Sequence, residues 1–375
     1  MTKYSAANER IKREYFAYLK EAKGRDDATI DGVAKSLARF EESTKARDFK
    51  RFHREQAVAF KAGLAKAVNV RTGERISKAT MNSTLRDLRA FFFWLAHLPG
   101  YKSHIAYADA DYFNLSDKDV AVARAKREKR VPTLAQVRHV LSAMPSATVL
   151  ERRDRALIAF AALTGARVGA LASFRLGHVN LADGYVEQDA RVVRTKFAKT
   201  FRTYLMPIDD GALAHFTAWV SELEREHHWG SDDPLFPATE MGVGEDGGFR
   251  PAGLLRSGWS TTQPINTVFR RAFEAAGLPY YNPHSFRDML VRHAMTLNLS
   301  PEAMKAWSQN LGHADVLTTF TNYGAVPTLR QGDLIRAAGQ SAGDGDVLDD
   351  PDVRALIAAI QAKGNGGLPG TGAGR

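Results

Sequence analysis

NPHSFRDML (282–290) and NLGHADVLTTFTNY (310–323) are the two stretches on which the reading of this chain turns. In the first, His284 and Arg287 stand three residues apart, a spacing that makes them neighbours on one helix face. In the second, Gly312 can end a helix, His313 follows it, and Tyr323 comes ten residues later, before a glycine. Upstream, LTGARVGAL (163–171) places Arg167 after a turn, at the start of a helix. TKFAKTFRTYLMPI (195–208) places Lys196 across an apparent β-hairpin, with Lys199 as the alternative. Each phrase alone says little. Together they give one ordered basic set: Arg167, Lys196, His284, Arg287, His313 and Tyr323.

The chain around them is globular in composition, with 44% apolar residues in 375, enough for two domains with separate cores. The apolar run near Ala156–Ala162 is too short to span a bilayer, and the charged start MTKYSAANERIKREY has no signal-peptide core. There is no cysteine, which excludes disulfide frameworks, thiolate zinc sites and cysteine nucleophiles, and suits the cytoplasm. Charge is uneven. Residues 1–130 hold 28 Lys and Arg against 17 Asp and Glu, whereas the remainder holds 24 against 25. A basic N-terminal third is either a solvated surface or a footprint for a polyanion such as DNA.

Periodicity predicts helices through residues 5–115: Ser5 to about Ala22, Thr29–Glu42, His53–Lys66, and one from a Ser77 cap through Leu98. The run Phe91–Trp94 reads as the core of a small helical bundle. Residues 116–131 (SDKDVAVARAKREKRV) read as a basic linker, able to lie along a phosphate backbone. Thr133 then caps a helix to Met144. Residues 132–338 read as mixed, with helices at 150–163, 209–226, 262–276, 284–297 and 301–310. Short strands are expected at 184–187, 191–195 and 202–207, and an exposed loop at 239–250. In the tail, 339–375, Asp350 can cap a helix with an apolar stripe of Val353, Leu356, Ile357 and Ile360. That stripe packs either on its own domain or on a neighbouring protomer. The last dozen residues are glycine-rich and expected to be disordered.

Several site types are missing: no GxxxxGK[ST] loop, no GxGxxG after a strand, no HExxH, and no spaced acidic cluster for two magnesium ions. His227 and His228 read as a solvated surface pair. No cofactor or metal is expected.

In the order and phrasing of its basic set, the chain resembles the tyrosine recombinases, also called phage integrases. In that family an Arg follows a TG turn, a Lys lies in a β-hairpin, and HxxR, LGH and a C-terminal tyrosine follow. The resemblance is detailed over about 131–335 and holds only in kind over 5–115. Two features depart from it. Ala170 stands where the family often has an acidic residue, and the gap from His313 to Tyr323 is one residue longer than the commonest spacing.

The resemblance implies a mainly α chain, with an N-terminal helical-bundle core-binding domain (1–115) and a mixed α+β catalytic domain. It implies double-stranded DNA as partner and a homotetramer on paired sites, without a membrane, and leaves open a need for accessory DNA-bending proteins. Tyr323 would be the nucleophile. Arg167 and Arg287, as planar forks, would clamp the non-bridging phosphate oxygens where charge builds up. Lys196 would protonate the leaving 5′ oxygen, His284 would assist as base, and His313 would hydrogen-bond the scissile phosphate. The product would be a 3′-phosphotyrosine, whose stored bond energy lets religation proceed without ATP. A type IB topoisomerase-like enzyme and a catalytically inactive DNA-binding homologue remain the alternatives.

Overall fold

The computed structural model describes residues 4–69, 72–125, 130–195, 198–297, 299–313 and 331–332. The chain divides into two compact units, 1–127 and 128–375.

The first unit is helical: α1 (Ala6–Ala17), continued by a π turn (Tyr18–Ala22), then α2 (Asp27–Ser43), α3 (Arg54–Lys66), α4 (Lys78–Leu95) and α5 (Asp117–Arg124). Its helix starts are set by local chemistry. The side chains of Ser5, Asp26, Ser77 and Ser116 accept from the backbone N–H three residues on, quieting donors that a helix leaves unpaired. The core is aromatic. Phe92 stacks on Phe52 with ring centroids 4.0 Å apart and meets Phe40 edge-on at 5.3 Å. Phe91 and Phe92 are fully buried, while Phe93 is 47% exposed, so the aromatic run serves the bundle core with one ring turned outward.

One expectation changes here. Residues 117–124, read as the start of a linker, form α5 and pack on α4. Ser116 caps the helix, Asp117 and Asp119 suit its positive end, and Lys78 bonds Asp119 at 2.8 Å. The more basic residues 126–129 lie outside the described residues.

The second unit is mixed. It runs α6 (Leu134–Ala143), α7 (Val149–Thr164), α8 (Val168–Leu171), β1 (Val179–Asn180), β2 (Tyr185–Gln188), β3 (Phe201–Tyr204) and α9 (Asp210–Arg225). It continues with β4 (Pro237–Val243), β5 (Phe249–Gly258), α10 (Gln263–Ala275), α11 (Pro283–Ala294) and α12 (Pro301–Asn310). The central helix is α7, buried all round from Ala156 to Thr164, which explains its unbroken apolar run. The antiparallel sheet has the order β1-β2-β3, with Val186 opposite Val179 on one side and Thr203 on the other.

Two strand-level expectations fail. Residues 191–195 are not a strand: Val192 and Val193 both donate to Asp189 O, which folds the segment into a turn. Residues 239–250, expected as a loop, belong instead to the β4–β5 hairpin, whose register is interrupted at two points. That hairpin is exposed on both faces, with Val243 at 71% and Phe249 at 77%, so it lacks the in-out alternation that marks a half-buried strand. Its root is held by the buried Arg153 of α7, which donates to Pro237 O and Thr239 Oγ1 at 3.0 Å and lies over the Trp259 ring. Among the described residues no helix is long and apolar enough to cross a membrane.

Candidate active site

The site is assembled where three helix ends meet. Helix α7 ends at Thr164, whose hydroxyl donates to Phe160 O and accepts from Ala166 N–H. Gly165 follows in the left-handed region (φ 57°), and a Cβ there would lie 2.8 Å from Leu311 and 2.9 Å from Leu290. Only glycine fits both the turn and the contact. The TG phrase is therefore a structural necessity, and it delivers Arg167 as the residue capping α8, half-buried.

Arg287, on α11, is 2% exposed and reaches across this junction. Its guanidinium donates to Gly165 O at 2.6 Å, to Leu311 O at the end of α12, and to His313 Nε2 at 3.1 Å. One planar fork thus ties together the α7 turn and the LGH turn. A guanidinium has no lone pair to offer, so Nε2 of His313 must accept, and a neutral ring carries its proton on Nδ1. The pKa of His313 is lowered from 6.5 to about 4, first by burial and then by the charges of Arg287, Arg167 and His284. That electrostatic coupling gathers three of the expected residues around the ring of a fourth. His284, one turn before Arg287, is exposed, so the same helix offers a buried cation and an accessible imidazole.

Lys196 and Tyr323 lie outside the described residues, as does the tail 339–375. Lys199, the alternative lysine, is half-buried ahead of β3. Ala170 is 1% exposed, so a carboxylate at this position would have to be buried against apolar neighbours.

Sequence reasoning missed two side chains that hold the site's frame. Asn310, the last residue of α12, pairs with the free edge of β3: its Oδ1 accepts Tyr204 N–H at 2.6 Å and its Nδ2 donates to Tyr204 O at 2.9 Å. An amide side chain here stands in for a neighbouring strand. Arg194 docks the segment after β2, donating to Trp259 O at 2.9 Å, Ser260 O at 3.2 Å and Ala172 O at 3.3 Å. Neither could be found from local periodicity, because each acts on main-chain groups far away in sequence. The one available signal was Asn310's place beside the LGH phrase.

Residues 130–328 match the model of the phage integrase family. The chain is 22% identical over 313 residues to tyrosine recombinase XerC of Xylella fastidiosa (strain 9a5c), covering 83% of this chain and 90% of that protein. Among solved structures it is similar to a lambda integrase dimer bound to a COC' core site, with TM-score 0.57 and 14% identity, over 85% of this chain and 99% of that one. It is also similar to the Tn1549 transposon integrase in complex with transposon right-end DNA, with TM-score 0.55 and 15% identity, over 88% and 99%. The structural likenesses bear on the fold, and the sequence model covers the region that holds all six candidate positions. The chain belongs to the phage integrase family.

Proposed function

We propose that the chain is a site-specific DNA recombinase that cuts and rejoins double-stranded DNA through a covalent phosphotyrosine, with Tyr323 as nucleophile. The observation that carries this reading is the gathering of Arg167, His284 and Arg287 around a single buried histidine, His313. Such a set suits a phosphodiester. Charge builds on the non-bridging oxygens during attack, and cations already in place lower that barrier most.

In this reading the Tyr323 oxygen bonds to phosphorus and gives up its proton with help from His284. The P–O5′ bond breaks, and its electron pair goes to O5′ with a proton from Lys196. Arg167 and Arg287 hold the non-bridging oxygens, and neutral His313 donates to one of them from Nδ1. Tyrosine has an unperturbed pKa of about 10, so a base at its side matters at neutral pH. Reversal of the same steps by another 5′ hydroxyl rejoins the strand. Residues 1–115 and the basic stretch 116–131 supply the grip on the duplex, consistent with the excess of positive charge before residue 130. A lambda integrase similar in fold, at TM-score 0.55, is a tetramer bound to a Holliday junction. We extend that assembly to this chain: four copies on two paired sites.

The test is covalent trapping. A library of nicked random-sequence duplexes is incubated with the chain and with Tyr323→Phe, without ATP or added metal. A denaturation-resistant adduct that forms with the unaltered chain and not with the variant is the expected result. DNA binding without an adduct on any duplex would leave a DNA-binding homologue without catalysis.

A further inference from the structure

The loop between β2 and β3 carries Lys196, and its described part is fastened by Arg194, two residues earlier. At its base Thr200 Oγ1 accepts from Ala190 N–H at 3.1 Å, and Val193 is buried in the core. Beyond that, Arg194 makes the long-range polar contacts. Its backbone N–H donates to Ser173 Oγ at 2.9 Å, and its guanidinium reaches three carbonyls, on Ala172, Trp259 and Ser260. Thr195 adds no further anchor among the described residues, where its buried hydroxyl has no hydrogen-bond partner.

The same contact involves the Arg167 turn. Ser173, which receives the Arg194 N–H, donates in turn to Gly169 O and Ala170 O of α8. At Gly169 a Cβ would come within 3.3 Å of Arg194 O, closer than side chains ordinarily approach. Arg167 stands two residues before Gly169, and Lys196 two residues after Arg194. One tight backbone contact therefore sits between two residues that must meet the same phosphate. General-acid transfer needs its donor within hydrogen-bond reach of the leaving oxygen, and a misplacement of about 1 Å can cost roughly 10²-fold.

We propose that Arg194 is a positioning residue, which registers the Lys196 loop against the Arg167 turn by gripping three main-chain carbonyls; this rests on the reading of Lys196 as the proton donor to O5′. A lysine at 194 would keep the charge but lose the planar fork that spans those acceptors.

The test separates proton donation from everything else. A nicked duplex, selected from the random library by trapping with the unaltered chain, is made in two forms, with oxygen or with sulfur as the bridging 5′ atom of the scissile phosphate. With sulfur the P–S bond breaks and the electron pair leaves as a thiolate. A thiol pKa of about 8.5 makes that departure possible without an acid. Adduct rates are measured at saturating DNA for the unaltered chain, Arg194→Ala, Arg194→Lys and Lys196→Ala.

On the oxygen duplex Arg194→Ala should be slower by about 10- to 100-fold. On the sulfur duplex it should return close to the unaltered rate, which also proves that the variant is folded and its nucleophile intact. Arg194→Lys should fall between the two. Lys196→Ala should be slower by about 10²- to 10⁴-fold on oxygen and should likewise recover on sulfur. If Arg194→Ala is equally slow on both duplexes while Lys196→Ala recovers, the reading of Lys196 stands and the role of Arg194 is overturned. If Lys196→Ala stays slow on sulfur, Lys196 is not the donor, and the proposal falls with that reading.

Discussion

In residues 1–127 the rings of Phe40, Phe52, Phe92 and Phe113 close on one another. In the second unit, by contrast, the turns that carry the candidate site residues are gripped by side chains donating to main-chain oxygens. Ring packing stabilises a bundle mainly through buried area, with a modest preference for offset or edge-on geometry. A guanidinium on a carbonyl is directional, and it weakens steeply once the donor angle falls below about 120°. The first construction suits a part that must fold and hold its surface. The second suits a part whose turns must stay in register.

Substitutions can break that contrast. Phe92→Ala should cost about 3–5 kcal/mol of stability, as a fully buried ring lost from a cluster does. Urea unfolding followed by circular dichroism measures it, and the adduct rate of the remaining folded protein at saturating DNA should hardly move. A fall in that rate to match the stability loss would mean the aromatic core also sets geometry. Arg287→Lys should do the reverse. It keeps a cation but cannot bind Gly165 O, Leu311 O and His313 together, and the adduct rate should drop by about 10²-fold or more. Near-normal activity in that variant would mean that charge alone suffices and the fork does not.

The mildest probe is pH. His313 titrates at about 4 when folded, against 6.5 when unperturbed, so between those values the unfolded chain binds more protons than the folded one. Stability should therefore be full above about pH 6.5 and decline as pH falls toward 4. Comparing melting temperature against pH for the chain and for His313→Gln isolates this contribution: the decline should be shallower in the variant. Equal slopes would mean that burial and the neighbouring charges do not hold the ring neutral.

How much of this was legible beforehand depends on how local each cause is. Helix starts at Ser5, Ser77 and Thr133 could be read because a cap acts three residues away. The pairing of His284 and Arg287 could be read because one helical turn brings them together. The β4–β5 hairpin could not, since exposure on both faces erases alternation, and its root depends on Arg153 more than eighty residues earlier. The turn at 189–193 was misread because Val192 and Val193 have strand-like side chains, while Asp189 draws both N–H groups to one oxygen. Arg167, His284, Arg287 and His313, which the fold brings near one ring, were each marked by a phrase, and their chemical roles are proposals. The clasps at Arg194 and Asn310 were hidden, because their partners are peptide groups that leave no mark in a sequence.

The grip of Arg194 on Ala172, Trp259 and Ser260 has a consequence for anyone who would re-engineer this enzyme. Every amino acid brings a carbonyl, so no substitution at those positions removes an acceptor. Only the exposed Ser260 can be rewritten for solubility, labelling or new surface properties, since Ala172 and Trp259 are buried and Trp259 also lies against Arg153. The freedom stops where bulk meets backbone: at Gly169 the first added carbon already crowds the clasp. A redesign can thus treat position 260 as an interchangeable part, provided Gly169 stays bare.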